Sequence, residues 1–395
     1  MNVLFVTPFD PTHPGGAGLV VRGRLQALRR LGHRVHLLLE GRSVRDEAAA
    51  RALCHGMTLQ PRRGVTGRWL LRAAGRLLSR GQPLKWNAHT SAALSRCVTA
   101  ERPDVVVLDS AVLAEHAAVL RSGGHRGRVL LHTHNVEHLL LQRQAAHEPR
   151  AGKRWELAVR ARRYRATESS LAGAVDAVLA LTPDDARALS GLNPGVEVRW
   201  VPPEVDTAHY APAPGPGTRT LAFVGSLQWA ANLDGVRWLL SEVWPAVRAQ
   251  VADARLVLVG KPPAGGLGAL PPGVEALGFV EDERPVLASS RALVVPLRFG
   301  SGVRIKALTA FALERAVVST ALGVEGIPAV DGESLLCADD AADFARACVR
   351  LLEDPVLAER LAAGGRRVCE RAYAPAAVEG ALQAALEGTA PPPTA

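Results

Sequence analysis

The sequence predicts an α/β protein of two doubly wound, parallel-sheet domains joined by a proline-rich linker. Three observations carry this. Short apolar, β-branched runs recur, most followed by a glycine-containing loop and then by a stretch of helical periodicity. That alternation is the signature of parallel strands with crossover helices. It breaks once, at residues 203–219, where proline and glycine cluster. The third observation is length: 395 residues suit two or three cores rather than one.

Composition narrows the class. Apolar residues make up 48% of the chain, yet no run approaches the ~20 needed to span a bilayer. Val3–Thr7 is too short and wrongly flanked for a secretion signal. Cys54, Cys97, Cys337, Cys348 and Cys369 are scattered, odd in number and free of CxxC spacing. That argues for a reducing cytoplasm and against a disulfide frame or structural zinc. The net charge of +9 is uneven: residues 1–200 hold 30 Lys/Arg against 16 Asp/Glu, and residues 201–395 hold 17 against 22. The basic half suits an anionic surface such as a membrane, lipid phosphate or nucleic acid.

In chain order, Asn2–Thr7 reads as a buried strand. A loop with Gly15, Gly16 and Gly18 follows, then a helix from Leu19 to Leu31 with Val21, Leu25, Leu28 and Leu31 near one face. Val35–Leu39 closes a βαβ unit whose loop lacks the GxGxxG spacing of a dinucleotide site. Residues 51–100 hold nine basic and no acidic side chains. Within them Arg68, Arg72, Arg76 and Arg80 repeat every fourth residue beside Trp69, Leu70, Leu77 and Leu78, with Trp86 beyond. A basic amphipathic helix with tryptophan fits an anionic membrane interface, and residues 61–86 are expected to supply it.

Pro103–Leu108 and Val129–His132 are further buried strands. The second runs into HTHNVEH, at a strand's C-terminal end where an α/β site belongs. His132, His134, His138 and Glu137 match no zinc spacing, so no metal is expected. His134 instead suits a hydrogen bond to a sugar hydroxyl or phosphate. Arg154–Leu171 reads as a helix and Ala174–Leu181 as a strand, then Thr182 caps a helix with Pro183 at its first position. Val196–Val201 ends the first domain.

The second restarts with the strand Thr220–Val224, feeding Gly225-Ser226 and a helix over Asn232–Val251. Arg255–Val259 ends in Gly260-Lys261, and Val274–Leu277 leads through Phe279 and Val280 to an acidic turn. Then comes PLRFGSGVRIKALTAFALERAVVST, residues 296–320: a strand end, a glycine loop, a helix from Arg304 to Glu314 and a new strand. Gly300 and Gly302 let the backbone approach a ligand, and the helix aims its free N–H groups at the same place. Arg304 and Lys306 put two cations in the first turn. Cations there oppose the helix dipole unless an anion sits between them, so the loop suits a phosphate or diphosphate. Ser334–Cys337 is the last strand, and Ala341–Leu352 and Pro355–Arg371 are helices.

FVGSLQWAANLDGVRWLL, VLVG, GFVED, the 296–320 motif and GVEG, in that order, resemble family-four glycosyltransferases of the GT-B fold. The glycine loop at Gly15-Gly16 and the HNVE run extend the likeness to nearly the whole chain. The resemblance implies two Rossmann-like domains facing across a cleft: residues 1–202 on the acceptor side and 220–373 for the nucleotide sugar. A C-terminal helix, about 374–388, packs back on the first, and 389–395 form a disordered tail.

It implies a retaining transferase in bacterial glycan biosynthesis, with a GT-B-fold nucleotide-sugar epimerase or hydrolase, or a non-catalytic nucleotide-sugar- or membrane-binding partner, as the alternatives. A sugar passes from a nucleotide diphosphate sugar to a lipid-linked, polysaccharide or small-molecule acceptor. No metal or cofactor is implied, since the nucleotide sugar is a substrate. Arg304 and Lys306 are the implied diphosphate cations, with Lys261 near them, and His134 the sugar contact. Gly15, Gly16, Gly225, Ser226, Ser301, Gly302, Val303 and Thr309 are assigned to the donor, with Phe279 and Val280 holding the base. Asn135 and Glu137 fall on the acceptor side. The expected location is cytoplasmic, peripheral on the inner membrane face, with no nucleic-acid partner. Two departures stand out. Relatives carry two glutamates where this chain has Ser301 and Thr309, the second holding the ribose. Pro202-Pro203-Glu204-Val205-Asp206 replaces a Pro-Asn-Gly-Val-Asp loop.

Overall fold

Both sheets are wholly parallel, and in each the strand order reverses beside the first strand. The structure, a computed structural model, describes residues 1–41, 44–60, 88–171, 173–212 and 217–390. It divides into two units: Met1–Val201 with the chain from Glu379 to the end of the described residues, and Pro202–Val378. The basic stretch 61–86 lies outside the described residues, as do 213–216 of the linker and 391–395 of the tail. Among the described residues no helix is long and apolar enough to cross a membrane.

Unit 1 holds β1 (Asn2–Thr7), β2 (Arg34–Glu40), β3 (Gly56–Gln60), β4 (Val105–Asp109), β5 (Arg128–Thr133), β6 (Ala177–Ala180) and β7 (Glu197–Trp200), in the order β3-β2-β1-β4-β5-β6-β7. The central strands are apolar on both faces because helices cover both. These helices are α1 (Gly16–Arg30), α2 (Glu47–Ala52), α3 (Ala88–Glu101), α4 (His116–Ser122), α5 (Glu137–Ala146), α6 (Ala151–Glu168) and α7 (Pro183–Leu192). Thr182 caps α7 by accepting from the Asp185 N–H at 3.0 Å.

Unit 2 holds β8 (Thr220–Val224), β9 (Arg255–Val259), β10 (Val274–Gly278), β11 (Ala292–Val295), β12 (Ala316–Ser319) and β13 (Leu336–Cys337), in the order β10-β9-β8-β11-β12-β13. Its helices are α8 (Ala230–Trp238), α9 (Trp244–Gln250), α10 (Arg284–Ala288), α11 (Ile305–Ala312), α12 (Ala341–Glu353) and α13 (Pro355–Ala372). Asp340 and Asp354 cap the last two.

Several elements differ from the sequence reading. The helix expected over Asn232–Val251 is α8, a π segment at Leu239–Val243 and α9. Pro245 explains the break: it has no N–H to donate, and its ring crowds the carbonyl four residues back. The helix expected from Arg304 begins at Ile305, with Arg304 at the cap position, and ends at Ala312 because Glu314 turns left-handed at φ 56°. β3, α2, α3, α4, α5 and α10 have no counterpart in the sequence reading.

The last helix, α14 (Pro375–Glu387), begins in unit 2 and ends in unit 1. Its Leu382, Ala385 and Leu386 are buried in one cluster with Val3, Phe5, Leu37, Val107 and Leu130. Strand β1 therefore shares a core with residues more than 370 positions downstream.

Candidate active site

The first unit gathers polar groups at the C-terminal ends of three neighbouring strands. Parallel register makes this happen: β1 and β4 pair Val6 with Leu108, and β4 and β5 pair Asp109 with His132. Thr7, Asp109 and His132 thus finish side by side. Asp109 is fully buried and accepts from Thr7 Oγ1 at 2.6 Å on one oxygen. Its other oxygen meets His132 Nδ1 at 2.6 Å and His134 Nε2 at 2.8 Å. The next residue, Ser110, is strained, with φ 142°, a region that L side chains rarely enter. Such strain costs about 1–3 kcal/mol and collects at functional sites.

The electrostatics follow from this packing. Burial works against the charge of Asp109, but His134 and His132 outweigh it and hold the carboxyl well below the usual range. Burial, with Arg24 assisting, pushes His132 down to about 4 against the pull of Asp109. Arg24 comes from α1 and is only 2% exposed; its Nε and Nη2 both lie 3.5 Å from His132 Nε2, and Nη2 also donates to the Val201 carbonyl. An ionised carboxylate only accepts, so His132 carries its proton on Nδ1 and His134 a proton on Nε2. His134 packs against Phe9, ring centroids 4.7 Å apart, and its Nδ1 is left for a ligand.

Asp109, His132 and His134 place one oxygen and two nitrogens within 4.8 Å of one another, a donor set of the kind that binds zinc. The spacings of 2.6 and 2.8 Å are hydrogen-bond lengths. Ligand atoms around a tetrahedral zinc, each at about 2.0–2.1 Å, stand about 3.3 Å apart. Arg24 also holds a permanent cation 3.5 Å from His132. The residues fit a hydrogen-bonded network better than a metal centre.

Asn135 and Glu137 sit at the start of α5, where the Asn135 amide donates to the Glu137 carboxylate at 3.3 Å. His138 does not join the other histidines. Its Nδ1 lies 2.6 Å from Glu168 of α6, whose carboxylate also accepts the Glu137 and His138 N–H groups at 2.7 and 3.3 Å. Glu168 thereby caps α5 from another helix, and burial raises its pKa to about 7. Gly15 is the cap residue of α1 and Gly16 its first residue.

The second unit builds its site where β8, β9 and β11 end. Lys306, in the first turn of α11, donates to Asn232 Oδ1 at 2.8 Å, and the Asn232 amide donates to the Ser226 carbonyl at 2.9 Å. The ring of Phe223 lies 4.3 Å from Nζ. Gly225 has φ 151°, and a Cβ there would meet both Lys306 Nζ and Asn232 Nδ2 at 2.7 Å. Glycine is needed for the backbone angle and for the room.

Arg304 is 4% exposed and folds back over the glycine loop, donating to the carbonyls of Ser301 and Gly302, the latter at 2.8 Å. Its guanidinium lies 5.7 Å from the Trp229 ring and 2.8 Å from where a Cβ on Gly300 would stand. Burial first and Arg304 second push Lys306 down to about 7. The two cations are inside the site, not turned into solvent.

The remaining donor-side residues divide. Ser301 is buried, and Val303 is half-buried against the core. Thr309 is buried with its hydroxyl donated to the Lys306 carbonyl at 3.0 Å, so it is spent within its own helix. Lys261 is exposed and pairs with Phe279, 5.5 Å from the ring centroid; Val280 is half-buried. Sequence reasoning missed Thr7, Arg24, Asp109 and Asn232. Arg24 had a signal, because its spacing from Val21 and Leu28 puts it on the apolar face of α1.

Comparison with known proteins agrees with both units. The family described as Glycosyltransferase Family 4 matches residues 14–209, and the one described as Glycosyl transferases group 1 matches residues 218–354. A protein of Klebsiella pneumoniae, described as an uncharacterized 44.6 kDa protein in the cps region, is 30% identical over 134 residues, covering 31% of this chain and 34% of that relative. The match thus spans about a third of that protein's length. Among solved structures, a sucrose-phosphate synthase from Thermosynechococcus elongatus covers 98% of both chains with TM-score 0.69 at 18% identity. Anabaena HepE in complex with UDP-glucose covers 98% of this chain and 100% of that one, with TM-score 0.64 at 13% identity. TarM of S. aureus, in a complex containing UDP, covers 98% and 99%, with TM-score 0.69 at 9% identity. At these identities the likeness shows the fold, two Rossmann-like parallel-sheet units of the GT-B class. The chain belongs to the group 1 glycosyl transferases, with a family-four module in its first unit and a group 1 module in its second.

Proposed function

We propose that the protein moves a sugar from a nucleotide diphosphate sugar to an acceptor, retaining the anomeric configuration and using no metal. The observation that carries this is the pair of cations at the start of α11, Arg304 buried and Lys306 half-buried, beside the glycine loop. Breaking a glycosyl–phosphate bond builds charge on the departing diphosphate. Preorganised cations and helix N–H groups stabilise it without reorganisation. Two cations forced together in a half-dry pocket repel each other, and a diphosphate between them removes the conflict. His134, held by Asp109, offers Nδ1 to a sugar hydroxyl. Gly225 and Ser226 line the phosphates, with Phe279 and Val280 near the base. The leaving phosphate takes the acceptor's proton, so no carboxylate pair is required. Complexes of HepE and TarM with UDP or UDP-glucose support a nucleotide-sugar donor.

The acceptor is proposed to be lipid-linked, a polysaccharide or a small molecule, met at the cytoplasmic face of an anionic membrane. One exposed face of α6 supports the last point. Arg154, Trp155, Arg162 and Arg165 share it at helical spacing, and Trp155 is 69% exposed.

A second reading, a non-catalytic nucleotide-sugar-binding partner, is favoured by Thr309, which is buried and has given its hydroxyl proton to the Lys306 carbonyl. One assay separates the two: incubation with a panel of nucleotide sugars, with and without lipid extract. Acceptor-dependent release of nucleoside diphosphate supports transfer. Release without acceptor marks hydrolysis, and binding without turnover marks the partner.

A further inference from the structure

We propose that Arg24 is a positioning residue of the first unit's site: its N–H groups face His132 Nε2 and keep a second proton off that imidazole, so that Asp109 keeps its hold on His134. The consequence for catalysis rests on the reading of His134 as a sugar contact. The protonation of His132 itself does not.

Arg24 lies on α1 among Val20, Val21, Leu25 and Leu28, all buried. A guanidinium in such company is costly unless it is paired. It cannot lose its proton and has no acceptor, so in its contact with His132 Nε2 at 3.5 Å the imidazole nitrogen must accept. The His132 proton is then on Nδ1, where Asp109 takes it at 2.6 Å. The same Asp109 oxygen takes the Nε2 proton of His134 at 2.8 Å. Three links thus run from an apolar helix face to the one imidazole that packs on Phe9.

The charged groups facing His132 are Arg24 from α1, Asp109 from β4 and His134 from the end of its own strand. Arg24 opposes a second proton on His132 and Asp109 favours it. Without Arg24 the ring is free to protonate at Nε2. A cationic His132 would claim more of the Asp109 charge and loosen the hold on His134.

The test is imidazole nitrogen–proton NMR of the full chain, as wild type, Arg24→Met and Arg24→Lys, with thermal melts to confirm folding. The wild type should show His132 protonated at Nδ1 near neutral pH. Arg24→Met should keep the Nδ1 proton and gain a second, on Nε2, at higher pH than the wild type, and Arg24→Lys should restore most of the original pattern. In turnover assays Arg24→Met should lower kcat by about 10-fold with donor KM changed by less than about threefold, and move the acid limb to higher pH. A wild-type His132 protonated at Nε2 overturns the proposal, even if the Met variant fails to fold. So does an unchanged His132 titration in a folded Arg24→Met. The expected spectra from a protein that transfers no sugar would keep the tautomer assignment and sink the sugar-contact reading alone.

Discussion

Lys306 Nζ donates to Asn232 Oδ1 at 2.8 Å, inside a pocket closed by the ring of Phe223. A neutral amide carbonyl is a weak partner for an ammonium. Burial and neighbouring Arg304 lower the Lys306 pKa from 10.5 to about 7.

Binding of a nucleoside diphosphate should therefore take up a proton. The diphosphate anion raises the Lys306 pKa back toward its usual range. Calorimetry with UDP at about pH 8, in buffers of different ionisation enthalpy, should report uptake approaching one proton, and Lys306→Met should abolish it. The ligand-free protein gives the complementary sign. Its Lys306 pKa is depressed, so between about 7 and 10.5 the unfolded chain binds more protons and stability rises with pH. Melting temperatures across that window should rise less steeply in Lys306→Met. Identical slopes would mean that Lys306 titrates normally.

Gly225→Ala should damage the site from within. The new methyl meets Lys306 Nζ and Asn232 Nδ2 at 2.7 Å, on a backbone at φ 151°. A loss of about 1–3 kcal/mol in stability is expected from the backbone alone. Nucleotide affinity, titrated by fluorescence in protein still folded, should fall by at least about 10-fold as the two partners are pushed apart.

Arg304→Ala should lower turnover by about 100-fold or more, as for other losses of a preorganised charge-stabilising group. Loss of the guanidinium also frees the carbonyls of Ser301 and Gly302, which belong to buried residues, so a stability cost of about 1–3 kcal/mol should accompany the loss of activity. A near wild-type rate would remove Arg304 from the mechanism.

Thr309 bears on donor choice. Thr309 is 3% exposed and has given its one hydroxyl proton to the Lys306 carbonyl, so it cannot hold a ribose as a carboxylate would. Discrimination between a uridine donor and its deoxy counterpart should stay below about 100-fold in kcat/KM, and Thr309→Val should change donor KM by less than about threefold. Stronger rejection of the deoxy donor would point to another ribose ligand.

Vesicle binding should be electrostatic. The protein should sediment with anionic vesicles at low salt and release at high salt, because exposed charges more than a Debye length apart are screened. Trp155→Ala should weaken sedimentation if the α6 face contributes. Equal recovery with neutral vesicles would argue against the surface.

Much of this was legible in the sequence, and for a reason. The second unit's candidate site is local: Gly300, Gly302, Arg304 and Lys306 lie within seven residues, so spacing alone displays the cluster. Alternating apolar strands and helical stretches likewise announce two parallel sheets. The first unit's site is not local. Asp109 ends an apolar strand and reads as its punctuation, while its partners His132, His134 and Thr7 stand 23, 25 and 102 residues away. Nothing in one dimension says that three strand ends will finish together; sheet register does. The buried Thr309 hydroxyl was equally hidden, since a threonine's choice between ligand and helix carbonyl is made by its rotamer.

The way α14 supplies Leu382, Ala385 and Leu386 to the first sheet sets an order of events at the ribosome. The strand Asn2–Thr7 is made long before α14, yet its hydrophobic seat stays open until that helix, which begins at Pro375, has emerged. A fragment ending at Val201 would expose that seat permanently and should clump rather than fold. The first unit becomes a finished object only when α14 is threaded home.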